Sequence, residues 1–207
     1  MMTMETKPIT AVFYGISGAG KGTQAKLLVK YLELEAVTPN PALYIETGEA
    51  LRGFIRTEGH TQKLASEFLS KGMLLPSFLP IYLWVSALVE QFSGTEHIIL
   101  DGTARREAEA YVLDSALAFY DRSDYHVFVL EISDEVALDR LRARARPDDK
   151  GNEAGMQSKL AWYKENVVPC IDAFEKMGKA VHRINGDQSI EAIHRDILVA
   201  LGIPKTA

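Results

Sequence analysis

Cysteine is almost absent from this chain of 207 residues: Cys170 stands alone, so no intramolecular disulfide can form and a reducing compartment is expected. Basic charge is not in excess either. Against 23 Lys and Arg stand 28 Asp and Glu, a formal charge of −5, so nothing draws the whole chain toward nucleic acid. Any anion site must therefore be a local cluster of cations. Long hydrophobic runs are missing: the most apolar stretch, 73–89, is interrupted by Pro76 and Pro80, is too short to span a bilayer, and reads as core. The opening residues 1–8 are polar and hold no apolar signal core, which predicts a cytoplasmic protein with no membrane partner. His60, His97, His126, His182 and His194 are scattered without the spacing of zinc ligands, and no Gly-x-Ser-x-Gly elbow occurs. Repeats, low-complexity tracts and coiled-coil heptads are also lacking. What remains is ordinary for one globular domain with room for a small inserted segment: 47% apolar and 25% charged residues.

The informative stretch is Gly15-Ile16-Ser17-Gly18-Ala19-Gly20-Lys21-Gly22-Thr23. An apolar, strand-like run precedes it and a helical pattern (Ala25, Leu27, Leu28, Tyr31, Leu32) follows. Strand, glycine loop, lysine and helix form the setting of a phosphate-cradling loop. The glycines let successive N–H groups turn inward, the helix start adds partial positive charge, and Lys21 adds a full one. Gly22 stands where the general pattern has Ser or Thr, and Thr23 follows it.

Strands are predicted at 9–14, 42–45, 97–101, 125–132 and 179–184. Helices are predicted at 21–34, from 47 to near 59, and at 61–71, 77–92, 107–120, 134–144, 154–177 and 189–201. The helix at 77–92 reads as long and buried, with Pro80 tolerated in its first turn, and the one at 134–144 as capped by Ser133 or Asp134. Alternating helices and strands apolar on both faces predict a doubly wound α/β fold with a parallel sheet. In such a sheet ligands sit beyond the carboxyl ends of the strands. Asp101 ends a strand, where the acidic partner of a phosphate loop holds magnesium directly or through water. Arg52 and Arg105 follow strand-terminal turns, and Arg140, Arg142, Arg144 and Arg146 alternate along one segment. That run reads either as a solvated basic face or as a nucleic-acid patch. The acidic chain and the lack of interleaved aromatics argue against nucleic acid as a partner. One phosphate loop with arginines returning from elsewhere suggests two phosphorylated ligands meeting end to end, a transfer that needs alignment and charge neutralisation.

Gly15 to Ala25, with Gly22 after the lysine, closely resembles the phosphate loop of the adenylate kinase family. Glu46-Thr47-Gly48-Glu49-Ala50-Leu51-Arg52 is similar to the family's acceptor-binding Thr-Gly-Asp-x-Leu-Arg. Lys71-Gly72-Met73-Leu74-Leu75 resembles the stretch lining the acceptor base, and Leu100-Asp101-Gly102-Thr103-Ala104-Arg105 its Leu-Asp-Gly-Phe-Pro-Arg. The segment from Asp134 to Arg144 resembles the arginine helix of the donor site, Arg146-Pro147-Asp148-Asp149 the end of the lid, and Asn185-Gly186-Asp187-Gln188 the late turn at the donor base. The likeness runs from about Ile9 to Leu201. It implies a three-layer P-loop nucleoside monophosphate kinase fold with a five-stranded parallel sheet, an acceptor subdomain inserted at 46–76, and a vestigial lid at 145–147. The reaction implied is reversible phosphoryl transfer from Mg-ATP to AMP, giving two ADP. Lys21, Arg52, Arg105, Arg140, Arg144 and Arg146 would be catalytic. Gly18, Ala19, Gly20, Lys21, Gly22, Thr23, Arg140 and Gln188 would bind ATP. Thr47, Arg52, Met73, Leu74, Leu75, Gly102, Arg105 and Glu109 would bind AMP, and Asp101 would hold Mg2+ through water.

Four departures qualify the likeness. Only Ala145 separates Arg144 from Arg146, where the family carries its lid. Thr103-Ala104 replaces Phe-Pro, so a trans turn is expected, since a cis bond without proline costs about 2.5–4 kcal/mol. Glu109 stands where the family has an adenine-reading glutamine, four residues after Arg105. It either reads the base, in which case guanine or cytosine suits a carboxylate at least as well as adenine, or faces solvent. Lys159 lies near the place of a late arginine, ten residues past Asp149, and lacks its bidentate fork. GMP, CMP or UMP as acceptor, and an inactive nucleotide-binding module, remain as alternatives; so does an oligomeric state.

Overall fold

The computed structural model describes residues 7–36, 40–70, 73, 75–144 and 153–203, apart from the side chains of 35, 144 and 154. Five strands make one parallel sheet: β1 (Thr10–Gly15), β2 (Ala42–Glu46), β3 (His97–Asp101), β4 (His126–Glu131) and β5 (Ala180–Asn185), in the order β2-β3-β1-β4-β5. All five expected strands are present. Around them lie α1 (Lys21–Lys30), α2 (Thr47–Phe54), α3 (His60–Ser70), α4 (Phe78–Gln91), α5 (Glu107–Phe119), α6 (Asp134–Arg144), α7 (Glu153–Trp162), α8 (Val168–Lys176) and α9 (Ile190–Ala200).

Side chains alternate along each strand, so the sheet divides the interior in two. Val12, Tyr14, Ile98, Leu100, Val127 and Val129 face α4, α5 and α8; Ala11, Phe13, Ile99, Phe128 and Leu130 face α1, α6, α7 and α9. Strands β1 and β3 are buried on both sides, as expected of a covered parallel sheet. The edge strands β2 and β5 are only half covered, which the expectation of two apolar faces on every strand missed. A third, smaller cluster of Ala65, Leu75 and Leu79, with Leu51, Phe54, Ile55 and Phe68, gives α2 and α3 a core of their own.

Two helices end or turn otherwise than expected. The first passes into a π-helical turn, Tyr31–Glu35. The stretch expected as one helix over 154–177 consists of α7, a π-helical turn (Tyr163–Val167) and α8. Met156 and Leu160 of α7 belong to one core, whereas Cys170, Ile171 and Phe174 of α8 belong to the other; Tyr163 packs against both. Ser133 is the cap of α6, accepting a hydrogen bond from Val136 N–H at 3.2 Å.

The run 73–89 is not wholly core, as read from its composition. Leu79, Trp84 and Leu88 are buried, but Phe78, Tyr82 and Val89 are exposed. Among the described residues no helix is long and apolar enough to cross a membrane.

Strand pairing also joins two histidines that look unrelated in the sequence. Register sets Phe128 opposite His182, and His126 Nδ1 lies 3.0 Å from His182 Nε2, with the rings stacked. Burial pushes both imidazoles below their ordinary pKa, and His182 adds to the downward shift of His126. His97, which accepts the Ile9 N–H on Nδ1 at 2.8 Å, is shifted down by burial and then by Arg122. These groups bind protons more weakly folded than unfolded, so stability is full above the ordinary value of 6.5 and is lost as pH falls below it. Thermal melts across that range are expected to show a falling midpoint, and replacing His126 and His182 by Gln should flatten the slope. An equal slope in the double variant would refute this assignment.

Candidate active site

The order of the strands reverses beside β1, and the glycine loop, residues 15–20, leaves its carboxyl end there. Gly18 takes φ +95°, and a Cβ on it would meet the Ala137 carbonyl at 2.9 Å, so α6 packs directly on the loop. The first intrahelical bond of α1 is from Gln24 N–H to Gly20 O at 3.1 Å. Donors of the turn before it, Gly22 and Thr23 among them, thus point along the axis toward the loop. Lys21 folds over the loop and donates to the carbonyls of Gly15 at 2.8 Å and Ile16 at 3.2 Å.

Asp101 closes β3 directly beside this loop. A Cβ at residue 22 would stand 3.1 Å from Asp101 Oδ2, so a side chain there would press on the carboxylate. Gly22 therefore suits this packing, since the Ser or Thr of the general motif would require the Asp101 carboxylate to give by a few tenths of an ångström. Burial raises the Asp101 pKa; Lys21 works against that rise, and so do the Tyr44 hydrogen bond and Arg105. Tyr44 donates its hydroxyl to Asp101 at 3.2 Å, with Glu46 Oε2 at 3.4 Å as the alternative acceptor. Sequence reading missed Tyr44; the β2–β3 register, which sets Glu46 beside Asp101, is what brings it in. An all-oxygen, buried carboxylate next to a phosphate-type loop fits Mg2+, which favours hard oxygen ligands and retains water. Among the described residues no group of three or more His, Cys, Asp or Glu could enclose a metal ion.

The expected acceptor residues gather at the carboxyl ends of β2 and β3. Arg52 Nη2 pairs with Glu46 Oε1 at 3.0 Å, and Thr47 Oγ1 lies 2.9 Å from Thr103 Oγ1. Arg105, exposed, lies over Gly102 and donates from Nε to the Gly102 carbonyl at 2.8 Å. Met73 is exposed and Leu75 buried, while Leu74 lies outside the described residues.

Glu109 requires a correction. It is 2% exposed, so the solvent-facing alternative fails. Its two oxygens are also engaged within the protein. Oε2 accepts the Arg105 N–H at 2.7 Å, and Oε1 pairs with Arg106 at 3.2 Å. Arg106 in turn donates to Ser77 Oγ and the Leu75 carbonyl. In this arrangement Glu109 anchors the turn rather than presenting a free carboxylate to a base.

The residues expected at the donor lie on α6 and the turn after β5. Arg140 donates to the Gly186 carbonyl at 3.1 Å and approaches the Gly18 carbonyl at 3.5 Å, joining loop, helix and turn. Gln188 Nε2 donates to Asn185 O at 3.0 Å and to Asp196 at 2.6 Å. Arg142 faces away and pairs with Asp139 and Glu153, the solvated-face reading of that residue. The Arg144 side chain, Arg146 and the segment expected as a vestigial lid lie outside the described residues. Lys159 sits on α7.

Where Phe-Pro is expected before Arg105, Ala104 takes a left-handed φ of +54°, and no cis peptide occurs among the described residues. An L-residue there costs roughly 1–2 kcal/mol. Two buried groups hold it. Tyr14 OH, which has one proton to give, lies 2.6 Å from the Thr103 carbonyl and 2.8 Å from that of Ala104. The Cys170 thiol donates to the Ala104 carbonyl at 3.0 Å, and burial pushes its pKa up to about 12, which keeps it a thiol.

Comparison with known proteins agrees with this architecture. A profile described as adenylate kinase matches residues 13–179. The chain is 32% identical over 190 residues to an adenylate kinase of Synechococcus sp. (strain RCC307), covering 92% of this chain and 97% of that protein. It is 31% identical over 191 residues to adenylate kinase 1 of Nostoc sp. (strain PCC 7120 / SAG 25.82 / UTEX 2576), with the same coverage. An adenylate kinase of Flavobacterium psychrophilum is 31% identical over 188 residues, or 89% and 94% of the two chains.

The clamp on Ala104 makes a testable demand. Tyr14→Phe leaves buried carbonyls short of a donor, a loss of about 1–3 kcal/mol. The expected result is a melting midpoint several degrees lower, with a smaller loss for Cys170→Ala. An unchanged midpoint in Tyr14→Phe would mean that the hydroxyl carries no such load.

Proposed function

Since this chain belongs to the adenylate kinase family, a group of phosphotransferases acting on nucleoside monophosphates, we propose that it moves the terminal phosphoryl group of ATP reversibly to AMP, giving two ADP. The observation that carries this reading is the gathering of a phosphate-type loop, Lys21, Asp101, Arg52 and Arg105 at one edge of the sheet. The bond between the terminal phosphorus and its bridging oxygen breaks as an oxygen of the acceptor phosphate takes its place. Catalysis there is alignment and charge neutralisation. The loop N–H groups and Lys21 bind the donor phosphates. Arg52 exchanges Glu46, and Arg105 the Gly102 carbonyl, for the acceptor phosphate. Arg140 stands beside the donor base, and Arg144 and Arg146 offset charge on the group in transit. Gly18, Ala19, Gly20, Gly22, Thr23 and Gln188 line the donor, and Thr47, Met73, Leu74, Leu75 and Gly102 the acceptor. Asp101 would hold Mg2+ through water, and the ion would neutralise donor phosphate charge.

Residues 46–76, with the separate small core around Leu75 and Leu79, form the acceptor subdomain. Between α6 and α7 lie only residues 145–152, which leaves little chain for a lid. A covering lid excludes water from transfer sites. In its absence ATP should be hydrolysed measurably when no acceptor is present, and a rate no higher than that of a lidded relative would refute the point.

Lys21→Met is expected to lower turnover by orders of magnitude with an unchanged melting curve. Loss of folding instead would make the lysine structural. Coupled assays with AMP, GMP, CMP and UMP test the acceptor: AMP is expected to be fastest, and preference for another base would overturn that part of the proposal.

A further inference from the structure

Helices α4 and α5 bear a surface that the transfer site does not use. On α4, Phe78, Tyr82, Val85 and Val89 recur at steps of four, three and four residues, which puts them on one stripe, and the next step reaches Phe92. Phe92 meets Tyr120 ring to ring at 5.0 Å, so this stripe lies on the flank of α4 that adjoins α5. On α5 the series Val112, Ala116 and Phe119 runs to that same Tyr120 and lies on the flank adjoining α4. The starts of the helices are tied by Arg106, which donates to Ser77 Oγ at 2.8 Å and to the Leu75 carbonyl at 3.3 Å. The two helices are therefore tied at both ends and run in one direction, and their apolar flanks face one another across a crease open to solvent.

The exposure is large. Phe78 is 63% exposed, Tyr82 56%, Val89 63%, Val112 39% and Phe119 82%, with Tyr111 at 49% on the crest of α5. With roughly 150–250 Å² for each aromatic residue, the four rings alone leave about 500 Å² in water, before the valines are counted. A monomer's largest apolar patch is typically about 300–600 Å², and a stable pair of proteins buries about 600–1,000 Å² on each side. Neither helix contains Lys or Arg, and both carry acids at their ends (Glu90, Glu107). An anionic membrane surface is thus a poor occupant.

We propose that the crease is a self-association surface, covered by the same crease of a second copy of the chain about a twofold axis. A twofold contact sets the uncharged, aromatic centre of one patch against an identical centre, with polar helix ends at the rim. The result is a layer of four helices of the kind bundles use.

Sedimentation velocity at tens of micromolar tests this, with Val89→Glu/Phe119→Glu as the variant and Tyr82→Lys as a second one. The wild type is expected to run as a dimer and both variants as monomers, with melting midpoint and turnover near those of the wild type. A monomeric wild type, or variants that remain dimeric, would overturn the proposal. Flotation of the wild type with vesicles of phosphatidylcholine and phosphatidylserine would also overturn it, in favour of a lipid occupant.

Discussion

The closeness of Gly22 to Asp101 governs the arrangement of this molecule. A helix start carrying partial positive charge, a lysine and a buried carboxylate share one small volume, and the missing side chain at residue 22 lets them approach without displacing the carboxylate. The parallel register of β2, β3 and β1 then brings Glu46, Asp101 and the loop to one edge. Tyr44 spans the two carboxylates with a single proton, and the cations Lys21, Arg52 and Arg105 surround them. Opposite charges hold one another in place there, which is the state from which an anionic ligand can exchange partners at little cost in reorganisation.

The turn before Arg105 shows how an unusual backbone is kept. A proline at the position of Ala104, as the resemblance leads one to expect, would restrict the backbone angles, and alanine supplies no such restriction. The restriction comes instead from the core, through a phenol on β1 and a thiol on α8. Glu109 fastens the same turn from the other side through the Arg105 N–H and Arg106. Three substitutions relative to the family pattern are thus linked through one short stretch of backbone.

Much of this was legible from residues alone, for reasons that are local. The strands are short apolar runs with clear breaks, and the loop glycines announce a backbone that other residues resist. Asp101 and Arg105 could be set at the sheet edge from the sequence because one ends a strand and the other lies in the turn after it. Tyr44, Tyr14 and the His126–His182 pair were not, because each gains its partner through strand register or a contact with a distant element. Glu109 was misplaced for the same reason: position on a helix does not reveal that Arg106 will turn inward to meet it. The run 73–89 misled in the opposite direction, since hydropathy cannot distinguish a buried flank from an exposed one.

The π-helical turn at Tyr163–Val167 has a mechanical consequence. Because α7 feeds one side of the sheet and α8 the other, a single continuous stretch of backbone works as a rivet through the two halves of the interior. Neither half can loosen without dragging on the helix that holds its neighbour. Melting should accordingly be all-or-none across both layers, with α2 and α3, which keep their own small cluster, left at liberty to move.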